Sequence, residues 1–353
     1  MKASLPVRAA ILKRKTYEAP AEDRLNKVRL DFNENTSGCS PSVIRALAKL
    51  TPKQLAMYPE YQAATRDLAR YFGVRAGELM LTNGGDEALR VFFDAFVEEG
   101  GAILICDPTF PMYRYFAEIA GARVDACRYR PDMSFPMADV LVALRKKPRV
   151  LFIANPNNPT GTLLGRGELR RILQACTNTA VVVDEAYAEL SGVSVVCLIR
   201  RYPHLFVTRT FSKAAGIAAL RLGAVIAHKS SLDILRRAMP PFSVNLAALV
   251  AARAAVRDRA AVRRYILQVR STRAWLAAEL DGLGVVVYPS AANFILANFG
   301  LRGPRLFKYL ERRRILLRER SDQIGPGFVR IAIGTPAEMR RLVTLIRRHW
   351  KSK

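Results

Sequence analysis

The stretch His204–Gly223, HLFVTRTFSKAAGIAALRLG, decides how the rest of the chain is read. Leu205–Val207 is an apolar, β-prone run that ends in polar residues. A lone lysine, Lys213, follows among Ala and Gly, with Arg221 eight positions on. Desolvation just past a buried strand lowers a lysine's pKa and yields the neutral amine that Schiff-base chemistry needs. Thr210, Ser212 and Arg221 add two hydroxyls and a fixed cation, a set suited to one phosphate. A Ser-Lys pair by itself is more often a surface lysine after a strand, so the reading rests on what surrounds it.

Outward from this stretch, strand and helix alternate. Strand-like runs occur at Leu79–Leu81, Ala102–Cys106, Arg123–Cys127, Val150–Ala154, Ala180–Val183, Leu205–Thr208 and Leu222–Ala227. Helical patterns fall between most of them, at Asp86–Val97, Pro111–Ala120, Met137–Lys146 and Arg166–Cys176. Continuous apolar strands in such an alternation predict an α/β fold with a mainly parallel, doubly covered sheet. Its site is expected at the carboxyl ends of the strands. A helical region, Val244–Leu280, leads to a smaller α+β unit with strands near Val285–Val287, Asn293–Ala297, Ile315–Leu317 and Val329–Ile333. The expected division is an N-terminal arm over 1–35 packing with the small domain, a large domain over 36–250, and the small domain over 251–353. Ser40-Pro41 opens the first helix of the large domain as cap and first turn.

Three polar loops sit at predicted strand ends. Thr82-Asn-Gly-Gly-Asp-Glu87 joins a strand to a helix N-terminus, where free N–H groups and the helix dipole suit a phosphate, although the same residues also make an ordinary turn and cap. Asn155-Pro-Asn-Asn-Pro-Thr-Gly161 follows VLFIA, and its prolines and glycine hold Asn158 as a rigid amide. Asp184-Glu-Ala-Tyr187 follows AVVV and places Asp184 where it needs a cation.

Composition narrows the class. Half of the 353 residues are hydrophobic, which suits a globular chain. No apolar run reaches membrane-spanning length, and the N-terminus lacks a signal-peptide h-region, so a cytoplasmic protein is expected. Five scattered cysteines and three distant histidines show no disulfide or metal spacing, and no metal is expected. The net charge of +26 is the odd feature. From Leu301 onward 15 basic residues stand against 4 acidic ones, spread along amphipathic helices as in MRRLVTLIRRHW. That is a solvated face with no nucleic-acid-binding signature beside it.

Taken in order, LDFNEN, YPEYQ, TNGGDEAL, DPTFPMY, NPNNPTG, VVVDEAY, TFSK with Arg221, NFIL, ILLRER and VRIAIGT resemble the fold type I pyridoxal-phosphate aminotransferases over nearly the whole chain. Within that family they look most like the branch that moves an amino group from L-histidinol phosphate to 2-oxoglutarate. The resemblance implies pyridoxal phosphate bound to Lys213, which also shuttles the proton. It implies that Asp184 pairs with the protonated ring nitrogen, that Asn158 and Tyr187 bond the ring's phenolate oxygen, and that Phe110 stacks on the ring. The phosphate falls to Gly85, Asp86, Thr210, Ser212 and Arg221. Gly85 stands where the family frequently has serine, and Phe110 where it often has tyrosine. Tyr58 matches a tyrosine that reaches the neighbouring subunit's cofactor, implying a homodimer with shared sites. Tyr17, Asn33, Arg318 and Arg330 match the substrate side, with Arg330 on a carboxylate.

Other readings stay open on the residues alone. A related aromatic or other amino-acid aminotransferase, or an amino-acid-phosphate decarboxylase, would share the cofactor residues. A regulatory protein reusing the fold on DNA would ordinarily carry a separate DNA-binding domain, for which a 35-residue arm is too short. Twelve residues separate Arg318 from Arg330, and antiparallel pairing of their segments would bring both guanidiniums to one side.

Overall fold

The computed structural model describes residues 5–12, 14 and 23–351. Strands run in chain order β1 (Val28–Arg29), β2 (Leu79–Thr82), β3 (Ala102–Asp107), β4 (Arg123–Arg128), β5 (Val150–Ala154), β6 (Ala180–Asp184), β7 (Leu205–Thr210) and β8 (Gly223–Ala227). The last seven form one sheet in the order β2-β8-β7-β6-β5-β3-β4. From β7 to β4 all pairings are parallel, and β8 runs antiparallel to both of its neighbours. The parallel strands β3, β5, β6 and β7 are buried on both faces, which is why they read as continuous apolar runs, while β4 at the sheet edge is largely exposed. Their side chains alternate between two cores: Leu151, Ile153, Val181 and Val183 face one, and Val150, Phe152 and Val182 the other. Helices Gly84–Phe96, Met112–Ala120, Met137–Leu144 and Arg166–Ala175 follow β2, β3, β4 and β5. These bounds differ from the sequence expectation by one or two residues.

Two differences have clear physical causes. The single helical region expected over Val244–Leu280 is two helices, Leu246–Arg257 and Arg259–Asp281. Asp258 breaks it, because its carboxylate accepts the Ala261 N–H as a cap and also the Ser40 hydroxyl. The helix Lys229–Ala238, begun by a His228 side-chain cap, was not anticipated.

The C-terminal sheet contains β9 (Val286–Tyr288), β10 (Phe294–Asn298), β12 (Arg318–Glu319) and β13 (Phe328–Ala332), all antiparallel in the order β12-β13-β10-β9. The strand expected near Ile315–Leu317 is followed at once by a second one, so the run ILLRER is divided between two sheets. Its start, β11 (Ile315–Leu316), pairs in parallel with β1, so the N-terminal segment is stitched to this unit. Helices Gly303–Arg312 and Pro336–Lys351 belong to the same unit. Its core takes in Val28 and Leu30, and also Tyr187, Leu190 and Ala214 from loops of the large sheet. The two cores therefore meet where β6 and β7 end. Among the described residues, no helix is long and apolar enough to cross a membrane.

Candidate active site

Strands β2, β3, β5, β6 and β7 run the same way, so the loops after them share one edge of the sheet. A cavity of about 400 Å³ lies there. Gly85, Asp86, Phe110, Asn158, Asp184 and Tyr187 line it, with Thr210, Ser212, Lys213 and Arg221 opposite, and Asn33, Arg318 and Arg330 from the N- and C-terminal segments. This size is ordinary for a small-molecule site.

Lys213 donates its Nζ to the Phe32 carbonyl at 2.8 Å. Burial pulls its pKa down to about 8, and the nearby Arg330 pulls the same way against Glu34. The loop that receives it is itself pinned. Asn33 adopts a left-handed φ of 56°, donates its amide to the Tyr187 hydroxyl at 2.9 Å, and accepts Asn293 on its own carbonyl.

Asp184 ends β6, and its carboxylate collects neutral donors: the Tyr113 hydroxyl at 2.9 Å, the Thr208 hydroxyl at 3.0 Å and the Ala186 N–H at 3.2 Å. No ion pair reaches it among the described residues. Burial accordingly raises its pKa, and these hydrogen bonds only partly oppose the shift.

At the other end of the cavity, helix Gly84–Phe96 presents its first-turn N–H groups, which have no partner within the helix. Gly84 has φ +77°, and a Cβ there would lie 2.7 Å from the Arg221 guanidinium. A side chain at this position would therefore displace that cation. Arg221 pairs with Asp86 at 3.1 Å and is half exposed.

The third wall is cationic. Arg318 and Arg330 are direct cross-strand partners on β12 and β13, as the antiparallel pairing expected from sequence requires. Arg330 is buried, donates to Asn158 Oδ1 at 2.5 Å and to the Asp31 carbonyl, and lies over the Phe294 ring. Burial, together with Arg320 and Arg318, pulls its pKa down to about 9, so it stays charged at neutral pH.

The family model of the class I and II aminotransferases matches residues 26–346. The chain belongs to that family. It is 35% identical over 335 residues to a histidinol-phosphate aminotransferase of a Geobacillus species, covering 92% of this chain and 91% of that one. A histidinol-phosphate aminotransferase of Symbiobacterium thermophilum is 34% identical, with 97% and 98% covered. In fold, the chain superposes with a TM-score of 0.90 on the histidinol-phosphate aminotransferase of Sinorhizobium meliloti solved with pyridoxal-5'-phosphate, at 23% identity and 99% coverage of both chains.

Pyridoxal phosphate is the cofactor of these aminotransferases, and the residues fit it. A desolvated carboxylate that no cation reaches among the described residues suits a protonated ring nitrogen, a lysine of lowered pKa suits a carbonyl, and a helix N-terminus beside Arg221 suits a phosphate. Of the residues expected from sequence, Tyr58 does not line the cavity. It is 79% exposed and stacks on Phe242 with centroids 4.8 Å apart. Tyr17 lies outside the described residues. Sequence reasoning missed Tyr113 and Thr208, which hold Asp184, and the Phe32 carbonyl, which holds Lys213. It also missed Arg320, which lines the cavity two residues after Arg318. Strand periodicity could have flagged Arg320; Tyr113 and Phe32 lie in the quoted runs DPTFPMY and LDFNEN, but nothing there shows what they hold.

The lowered pKa has a direct consequence. In the cofactor-free chain, labelling of Lys213 by an amine-specific reagent should rise with pH to a midpoint near 8, well below the range of an ordinary lysine. Labelling kinetics resolved by peptide mass spectrometry measure it. A midpoint above 10 would contradict the buried setting.

Proposed function

We propose that this aminotransferase moves the amino group of L-histidinol phosphate to 2-oxoglutarate, giving imidazole acetol phosphate and L-glutamate. The observation that carries the reading is the facing pair Arg318 and Arg330 on the cavity wall. Two guanidiniums exceed what one carboxylate needs, but they suit a dianionic phosphate through bidentate contacts. The same pair can receive a carboxylate of the oxo acid in the second half-reaction. The likeness to relatives named for this activity supports the same substrate.

In this reading Gly85, Asp86, Thr210, Ser212 and Arg221 hold the cofactor's phosphate, and Asn158 and Tyr187 its phenolate oxygen. Phe110 stacks on the ring, and Asp184 keeps the ring nitrogen protonated. Bound there, pyridoxal phosphate supplies an electron-withdrawing ring that acidifies the donor's α carbon and carries the amino group. Lys213 Nζ, largely neutral above pH 8, takes the proton from that carbon and returns it on the way to product. Asn33 orients the Tyr187 hydroxyl, and Arg330 keeps the Asn158 amide turned by occupying its oxygen. Tyr17 is assigned to the substrate phosphate with Arg318.

The working form in this proposal is a homodimer with Tyr58 reaching the partner's site. Support comes from the exposed apolar group Leu55, Met57, Tyr58 and Phe242, which a second copy would cover. We also propose the boundary near residue 35 and, since residue 250 lies inside helix Leu246–Arg257, a second boundary near Asp258. The large-sheet core extends to Val256, while the C-terminal core begins with Tyr265 apart from its N-terminal and loop members.

Two outcomes follow. Arg318→Ala should lose about 2–4 kcal/mol of transition-state binding for L-histidinol phosphate, the range for truncating one member of a hydrogen-bonded charge pair. With L-histidinol, which lacks the phosphate, the loss in kcat/KM should be far smaller; equal losses for both donors would remove the phosphate reading. Light scattering of the active protein at micromolar concentration should give the mass of two chains, whereas a fully active single chain would exclude a shared site.

A further inference from the structure

The strand ends that carry Asp184 and Thr208 hold a second, buried set of charges on their opposite face. Side chains alternate along a strand, so Asp184 and Thr208 turn with Val182 and Phe206 toward the core that contains Tyr113. Glu185 and Arg209 turn with Val183 and Val207 toward the other core, although Arg209 also borders the cavity between Thr208 and Thr210. Glu185 is fully buried, and its carboxylate accepts Arg209 Nη1 at 2.8 Å, Ser194 Oγ at 2.7 Å and the Val195 N–H at 2.6 Å. Arg209, 8% exposed, extends its other arm to Glu189 Oε1 at 2.6 Å and lies over the Phe72 ring at 5.0 Å. Between the two faces, the Glu185 N–H bonds the Thr208 carbonyl at 3.0 Å. Each member of the pair is thus one residue from a group that holds the site.

We infer that Arg209 is a positioning residue for cofactor binding: by clamping Glu185 and Glu189 from behind, it sets where Asp184 and the segment Thr208–Lys213 stand. The inference rests on the cofactor roles proposed above for Asp184 and Lys213. Stability alone is a poor reason for this cluster. Burial works against the charged form of Glu185 and raises its pKa, and buried ion pairs often stabilise no more than apolar replacements. A planar fork that reaches both carboxylates at once fixes geometry, which a lysine's point charge cannot reproduce. Although burial alone would lower it, Glu189 and Glu185 hold the Arg209 pKa above its usual value, so the guanidinium stays charged. Its action is through the backbone, since Asp184 already has its own hydrogen-bond donors on the cavity side.

The test compares Arg209→Met and Arg209→Lys with Leu173→Ala, a cavity-forming change in the same core on helix Arg166–Ala175. Each cofactor-free protein is titrated with pyridoxal phosphate, and the pH midpoint of the bound cofactor's absorbance is recorded alongside the melting temperature. Arg209→Met should weaken cofactor binding about 10–100-fold, the range for groups that orient a first-contact ligand, and should shift the midpoint; Arg209→Lys should recover part of both. Leu173→Ala should lower melting while leaving affinity and midpoint near wild type. Equal effects per degree of melting lost would reduce Arg209 to a structural residue and overturn the inference. If Arg209→Met does not fold, Glu189→Gln removes one arm of the clamp at a partly exposed position, and unchanged cofactor affinity in that variant would overturn it as well. No amino donor enters the titration, so an error in the substrate leaves this result untouched. Failure of the wild-type chain to bind the cofactor would instead sink the site assignment itself.

Discussion

A half-buried carboxylate that no cation reaches among the described residues, Asp184, is the constraint around which this structure is arranged. Its three hydrogen-bond donors are neutral, so the charge is solvated but not balanced. Holding it there requires the ends of β6 and β7 to be rigid. Tyr113 is fixed by stacking on Phe152, with centroids 5.0 Å apart, and Phe152 in turn stacks on Phe93 at 5.4 Å. Aromatic packing in the sheet core is therefore part of how the site holds its charge.

The opposite problem is met on the other side of the cavity, where cations gather. Lys213 and Arg330 both donate to main-chain carbonyls of the segment Asp31–Phe32. A carbonyl satisfies the donor without neutralising it, so burial still depresses both pKa values. Arg318 and Arg320 add like charge nearby. An arrangement of this kind is unfavourable until an anion arrives, which suits a phosphate-bearing donor better than a neutral one. The N-terminal segment thus has two jobs. It adds β1 to the C-terminal unit, and its backbone holds the two cations that face the cofactor side.

Much of this was legible in the chain. Buried parallel strands announce themselves as apolar runs, which is why β3, β5, β6 and β7 matched expectation to within two residues, and the loops after them then had only one edge to share. The resemblance of NPNNPTG, DEAY and TFSK to an aminotransferase gave those loops roles. What escaped were contacts set by tertiary geometry. Tyr113 lies in an unremarkable amphipathic helix, and no local pattern connects it with a carboxylate 71 residues away. The Phe32 carbonyl is a main-chain group, invisible to any residue-based reading. The strand expected near Ile315–Leu317 was to pair with the segment of Arg330, yet the run serves two sheets, with β11 on β1 and β12 on β13. The clamp of Glu185, Glu189 and Arg209 sits next to recognised motif residues, but the Arg209 guanidinium is turned to the two carboxylates, so it drew no attention.

The central claim is that Lys213, in its desolvated place beside the Phe32 carbonyl, is the residue that joins the cofactor. Borohydride reduction of the protein loaded with pyridoxal phosphate, followed by peptide mass mapping, tests it most directly. The account predicts a single phosphopyridoxyl group on the peptide containing Lys213. A modified lysine elsewhere, or no modification after incubation with the cofactor, would contradict it.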